Sequence, residues 1–388
     1  MTWKVSKKTI VYFFVLIVWL PPESIQYSIP YISYVFMGAQ LFLGIYILKE
    51  YHFRLSGKVI VLLFFYLLSN CLGMINYGLS IQRIANLLVY GINILSMIIF
   101  FQNQCEGNRR SFRCAISVLW ILSLIMTFYH YYTTALSTVY GSEVYFWGSR
   151  AITVQAFVSL MGLAVYYDVF CEEKISKRTI VLILLSLFFA VIRTSGQGIS
   201  MFISFLFLLF LNKIRKQKLW KILTPTIMIG IIGALNYLII TLKFQNIEII
   251  VRYITEVLSK DLSLTGRDQI FSGSLKLFSL HPFIGYGYGN QIIYDTLGKI
   301  WKAFNTAHNS ILQILVDFGI LGLGLFIMMF YCLLRQLKDQ QCYKNEVLYF
   351  ILFSMFMGGL VNMIVPSKFF WIIFSLGTAS IARNNLKN

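Results

Sequence analysis

Apolar runs of near membrane-spanning length recur along almost the whole chain. They fall at 10–20, 27–48, 59–74, 84–101, 114–132, 151–170, 179–192, 199–212, 222–242, 311–334, 347–365 and 369–382. A bilayer core is crossed by a helix of roughly 20 apolar residues, so the pattern predicts about twelve transmembrane helices. The breaks between the runs alternate in charge. Those around Lys7, Arg54, Arg110, Lys177, Lys216, Lys338 and Arg383 are basic, whereas the intervening short ones hold only Arg83, Arg150, Arg193 and Lys368. Basic loops stay in the cytoplasm. Both termini are therefore expected inside, the 243–310 segment outside, and the number of crossings even.

Composition agrees with this reading. Of 388 residues, 58% are hydrophobic and 12% charged, against about a quarter charged in soluble domains. The net charge of +18 does not imply nucleic acid, because the basic residues sit in short clusters between apolar runs and so carry topology. The six cysteines lack metal-ligand spacing and are expected to be free thiols. The amino terminus has a basic start and an apolar core but no small-residue cleavage site, and is expected to stay as the first helix. The expected fold is all-α: a polytopic integral membrane protein with helices over 1–242, a large outer loop over 243–310 that contains amphipathic helices, and further helices over 311–388.

Helical spacing of Ile247, Ile250, Val251, Ile254, Val257 and Leu258 predicts a surface helix over 244–259. Thr265 and Asp268 are spaced as a capping box, and the helix they open is expected to end near His281-Pro282. GYGYG at 285–289 is expected to be a flexible turn. His308-Asn309 stands where the next membrane helix begins, with Thr306 and Asn309 both candidate caps. A helix amino terminus attracts anions and disfavours imidazolium, so His308 is expected to be neutral and able to take a proton. Arg267, also at a helix start, calls for a compensating anion or for solvent. Arg193 lies between two short runs, where it either faces a polar cavity or reaches the outer headgroups. Tyr286, Tyr288 and Trp301 could stack on sugars or dip into lipid. Asp317 is expected to be structural.

Thr265-Gly266-Arg267 with Phe271, then HPFIGYGYGN, then HNSILQILVDFGILGLGLF, resembles the carboxy-terminal signature of the O-antigen polymerase and O-antigen ligase family, the polymerase branch being the Wzy type. The close match spans about sixty residues; elsewhere only hydropathy and topology agree. The resemblance implies a GT-C-like, inverting, metal-independent glycosyltransferase of the bacterial plasma membrane with Arg267 and His308 in its active site. Many members carry Ser-Arg-Gly where this chain has Ser195-Gly196-Gln197-Gly198, so Arg193 would have to substitute. Arg150 and Arg83 are further candidates for binding diphosphate, and Asn309, Tyr286 and Tyr288 for binding substrate.

The expected reaction joins repeat units carried on a polyprenyl diphosphate, undecaprenyl diphosphate in bacteria, into a surface polysaccharide such as O-antigen or capsule. Arginines would stabilise the departing diphosphate. His308 is the favoured base, with phosphate or sugar binding as its competing role. Glu143, Glu248, Glu256, Asp261, Asp268 and Asp295 are scattered, so neither metal nor cofactor is expected. Besides the donor, the acceptor and the bilayer, a chain-length regulator is a candidate partner. Two other readings remain: a ligase that moves finished glycan to an acceptor, and a non-enzymatic polysaccharide transporter.

Overall fold

The computed structural model describes residues 6–51, 57–78, 80–104, 108–133, 143–193, 195–214, 218–242, 248, 251, 267–300, 306–340, 342–364 and 367–384. Its helices are α1 (Lys7–Trp19), α2 (Glu23–Ser28), α3 (Ile32–Glu50), α4 (Gly57–Tyr77), α5 (Ile81–Gln104), α6 (Arg109–Thr133), α7 (Arg150–Glu172), α8 (Lys177–Ile192), α9 (Gly196–Ile214), α10 (Lys218–Ile222) and α11 (Pro225–Ile240). They continue as α12 (Arg267–Leu280), α13 (Gln291–Ile300), α14 (Ser310–Asp339), α15 (Tyr343–Gly359) and α16 (Lys368–Asn384). Strands β1 (Val144–Tyr145) and β2 (Gly148–Ser149) pair antiparallel in a short hairpin just before α7.

Every run expected to cross the membrane overlaps one or two of these helices. Among the described residues α3, α5, α6, α7, α9 and α14 are long and apolar enough to cross; the apolar segments in α4, α11 and α16 are shorter. The protein is an all-α polytopic membrane protein. The run at 27–48 is split, because Pro30 interrupts it and Tyr31, in the left-handed region, starts α3 afresh. Of the expected surface helix at 244–259 only Glu248 and Val251 are described, both as helix, and Thr265, Gly266 and Trp301 lie outside the described residues. So does Cys105; the other five cysteines are free.

Burial separates interior helices from lipid-facing ones. In α7 every residue from Thr153 to Val169 is buried, and α15 is buried nearly throughout. A helix that is apolar all round belongs in an interior. The two cross closely: a Cβ on Gly162 would come within 2.6 Å of Ile351 Cγ1, the close approach that small residues permit in membrane bundles. By contrast α3 buries only Gly44 and Ile47 of its 19 residues, as an apolar helix can when its surroundings are acyl chains.

The α14 helix is broken at Gly319 (φ 65°, ψ −166°). Without the break, the Ile320 and Leu321 amides would bond the Val316 and Asp317 carbonyls. The loop at 282–287 instead completes both sides. Tyr286 N and Gly287 N donate to Val316 O (3.0 Å) and Asp317 O (2.7 Å), while Ile320 N and Leu321 N donate to Pro282 O (2.8 Å) and Phe283 O (3.1 Å). The GYGYG segment is thus held, not loose. Gly285, Gly287 and Gly289 all have positive φ, and a Cβ on Gly285 would lie 2.5 Å from the Asp317 carbonyl carbon. Non-helical backbone is tolerated in a membrane helix where protein, rather than lipid, satisfies it.

Candidate functional site

His308 stands directly before α14 with φ 47°, a left-handed conformation uncommon outside glycine and a mark of local strain. The residues around it hold it there. Asn309 caps α14, its Oδ1 accepting from Ile311 N and Leu312 N at 3.0 Å each. Its amide donates to Asn236 Oδ1 (2.6 Å) and to Leu360 O (2.8 Å). On one side of the cap, Ala307 N donates to Gln313 Oε1 (2.8 Å). On the other, Ser310 Oγ donates to Asn362 O (3.2 Å) and accepts from Ile364 N (3.0 Å). Burial, the nearby Arg267 charge and a hydrogen bond with Asn362 act on the ring; the first two prevail and bring its pKa down to about 4. Burial and the Arg267 charge thus favour the neutral ring at physiological pH, a different cause from the helix end on which the sequence expectation rested.

Arg267 opens α12 and its charge reaches His308. Burial and the neighbouring Arg150 both lower its own pKa. Arg150 opens α7 and donates through Nη1 to the Arg193 carbonyl (2.7 Å). Arg193 ends α8, with its guanidinium paired to the Glu143 carboxylate and lying over the rings of Tyr131 (5.3 Å) and Tyr145 (5.6 Å). The Tyr145 hydroxyl donates to the same carboxylate. Arg193 thus has a carboxylate and two aromatic rings as its partners at the helix ends. The first turn of α9 joins the cluster where Gln197 meets Asn362 (2.7 Å). The amino ends of α7, α9, α12 and α14 consequently converge, and their dipoles add positive potential to that of Arg267 and Arg150. Such a place is suited to an anion with more than one negative oxygen.

The other residues singled out from sequence are placed differently. Arg83, in the first turn of α5, donates to the carbonyls of Gly78, Tyr286 (3.2 Å) and Tyr288 (3.4 Å). It secures the loop that completes α14. Tyr286 is buried with its ring edge-on to His281 at 4.6 Å. Tyr288 stacks on Tyr90 at 5.6 Å, and burial raises its pKa. Asp317 is buried and accepts from Gln313 Nε2 (2.9 Å). These groups build the wall beside the broken helix. Sequence reasoning missed Glu143, Gln197 and Asn362 as members of the cluster. Their one signal was a polar side chain at the end of an apolar run.

An apolar cavity of about 310 Å³ runs between α11 and α14, lined among others by Ile232, Ile240, Leu312, Leu315 and Phe330. Asn236 also lines it. The Asn236–Asn309 hydrogen bond therefore joins this cavity to the cationic cluster.

Comparison with curated proteins gives no match. A family model described as O-antigen ligase matches residues 179–327, from α8 through the first half of α14. That stretch contains Arg193, Gln197, Arg267 and His308, so the similarity to the O-antigen ligase family covers these members of the candidate site.

Proposed function

We propose that the protein polymerises oligosaccharide repeat units carried on undecaprenyl diphosphate into a surface polysaccharide, on the outer face of the bacterial plasma membrane. The observation that carries this reading is the convergence of Arg267, Arg150 and His308 at four helix amino ends. Arg267 and Arg150 bind the diphosphate of the donor and stabilise the charge that grows on it as the glycosidic bond breaks. Arg193, partnered by Glu143, lines the same pocket. His308 takes the proton from the acceptor hydroxyl, which attacks the anomeric carbon from the face opposite the leaving group and inverts it. A neutral imidazole near the Arg267 guanidinium suits both tasks, because burial and a cation that holds the leaving group also keep the base unprotonated. The reaction draws on guanidinium charge and asks for no metal. The apolar cavity next to Asn309 supports a carrier with a long hydrocarbon chain. Arg83, Asn309, Tyr286 and Tyr288 serve this site by fixing its wall and its cap. A chain-length regulator would act on the product length, outside this chemistry.

Purified protein incubated with a lipid-linked repeat unit tests the proposal. A ladder of products on a gel supports a polymerase; a donor that stays intact overturns the assignment. The similarity to the O-antigen ligase family favours a second reading, a ligase. It predicts transfer of a preassembled glycan to a separate acceptor, without a ladder, and build-up of full-length carrier-linked glycan in a deletion strain.

A further inference from the structure

The two oxygens of the Glu143 carboxylate are used differently. The Arg193 guanidinium and the Tyr145 hydroxyl both meet Oε2. Oε1 has no hydrogen-bond partner among the described residues, and the side chain stays 54% exposed despite its two anchors. The mount is itself held. The Arg193 guanidinium lies over the rings of Tyr131 (5.3 Å) and Tyr145 (5.6 Å), the Arg193 carbonyl accepts from Arg150 Nη1 (2.7 Å), and Tyr145 is buried. A surface carboxylate usually wanders among rotamers. This one is fixed, with one acceptor oxygen left over. Its surroundings decide what that oxygen can take. Arg193 and Arg150 make the neighbourhood cationic, which opposes a metal ion or an ammonium group. Oε1 has no proton to give, so it refuses a phosphate or a second carboxylate. A neutral hydroxyl meets neither objection. An exposed ring belongs to the same cluster: Tyr132 is 79% exposed and packs edge-on against Tyr131 at 5.1 Å. A carboxylate acceptor near an exposed aromatic face suits the hydroxyl and C–H surfaces of a pyranose.

We propose that Glu143, through Oε1, accepts a hydrogen bond from a hydroxyl of the glycan, so that the end of α6 and the start of β1 form a saccharide subsite beside the arginine cluster. This rests on the proposed function, in which the substrate is a carrier-linked glycan. The order of contacts agrees with it. Glu143 meets Arg193, and Arg193 meets Arg150. In α7, four residues past Arg150, Val154 packs where a Cβ on Gly198 of α9 would collide with it. Gln197 then meets Asn362 (2.7 Å), and the Asn362 carbonyl meets Ser310 beside His308-Asn309 (3.2 Å). Asn309 finally bonds Asn236 on the apolar cavity (2.6 Å). A carboxylate with an exposed ring stands at one end of this series, cations follow, and an apolar cavity closes it. A carrier-linked glycan has the same order: sugar hydroxyls, diphosphate, hydrocarbon.

Glu143→Gln tests this. Both anchors donate to Oε2, so the amide oxygen takes that place and the NH2 group replaces Oε1; an acceptor becomes a donor while the mount is kept. Binding to the full-length, detergent-solubilised protein is measured by thermophoresis for two ligands: bare undecaprenyl diphosphate, and the carrier-linked repeat unit extracted from a strain that lacks the gene. Release of Arg193 strengthens both alike, so the ratio of the two Kd values isolates the sugar contact. Wild type is expected to prefer the glycan-bearing carrier, and Glu143→Gln to cut that preference by about tenfold or more, the worth of a hydrogen bond to a charged group. An unmoved ratio in Glu143→Gln overturns the inference, as does equal affinity of wild type for the two carriers. Should Glu143→Gln not fold, the ratio in Glu143→Ala decides in the same way. Wild type that binds neither carrier brings down the functional reading itself. A further arm tells the two glycans apart: free repeat-unit oligosaccharide is followed by saturation-transfer NMR with undecaprenyl diphosphate saturating. A Glu143-dependent signal that persists assigns the contact to the acceptor glycan, and its loss assigns it to the donor's own.

Discussion

His308 combines a strained backbone, a half-buried ring and a neighbouring cation, and each has a measurable consequence. Its pKa of about 4 lies below the ordinary 6.5. Between those values the unfolded chain binds a proton that the folded one refuses, so this group's contribution to stability is full above about pH 6.5 and is lost as pH falls towards 4. The melting temperature of His308→Gln protein should therefore fall less steeply than that of wild type over this range. The same substitution should lower glycan transfer by roughly 10²–10⁴-fold, the usual worth of a general base. Arg267→Ala removes the cation that depresses the ring, so its residual activity should show an acid limb at higher pH than wild type. A rate profile of Arg267→Ala coincident with wild type would separate the two residues. Glu143→Gln takes the carboxylate from Arg193. Because the amide still accepts one hydrogen bond, the protein should fold, while the uncompensated guanidinium should tighten donor binding, read as a lower KM.

At the scale of elements, Gly319 is the residue on which most depends. A Cβ there would meet the Phe283 carbonyl carbon at 2.3 Å and would also carry the cost of a left-handed backbone. Gly319→Ala should destabilise the detergent-solubilised protein by about 2–5 kcal/mol, combining roughly 1–2 kcal/mol of backbone strain with roughly 1–3 kcal/mol of overpacking. Gly233→Ala, which has open space around it, should be neutral or better, since alanine favours helix. Sequence made the helices legible because apolar length is a local property: the run at 151–170 announces α7 by itself. It did not reveal the break at Gly319, because the groups that complete it lie in Pro282–Gly287, more than thirty positions earlier, and no periodicity encodes such a pairing. The β1–β2 hairpin escaped notice because each strand is two residues long. The identities of His308 and Arg267 were conspicuous in sequence, as a helix-start histidine and a cation at an unfavourable helix end. The pairing of Gln197 with Asn362 was not, since both are ordinary amides until folding brings them together.

For the whole molecule, the two ends of the bundle differ in chemistry. One gathers the amino ends of α7, α9, α12 and α14 around Arg150, Arg267 and His308. The other holds Arg113 against Asp168 (2.6 Å) and Glu172, with Ser176 N bonded to Asp168 (2.8 Å), and Asn212 against Glu346 (2.7 Å). If the first end faces outward, a membrane-impermeant maleimide applied to intact cells should label Lys299→Cys and spare the native Cys171 and Cys342 until the cells are opened. Labelling in the reverse order would invert the topology. The stitched joint between Pro282–Gly287 and α14 also sets a rule for recombination. A chimera that imports only residues 267–300 from a relative brings half a seam to a foreign edge and should misassemble. A graft carrying 267–339 moves both halves together and should yield a working hybrid, with whatever sugar preference those residues encode travelling along.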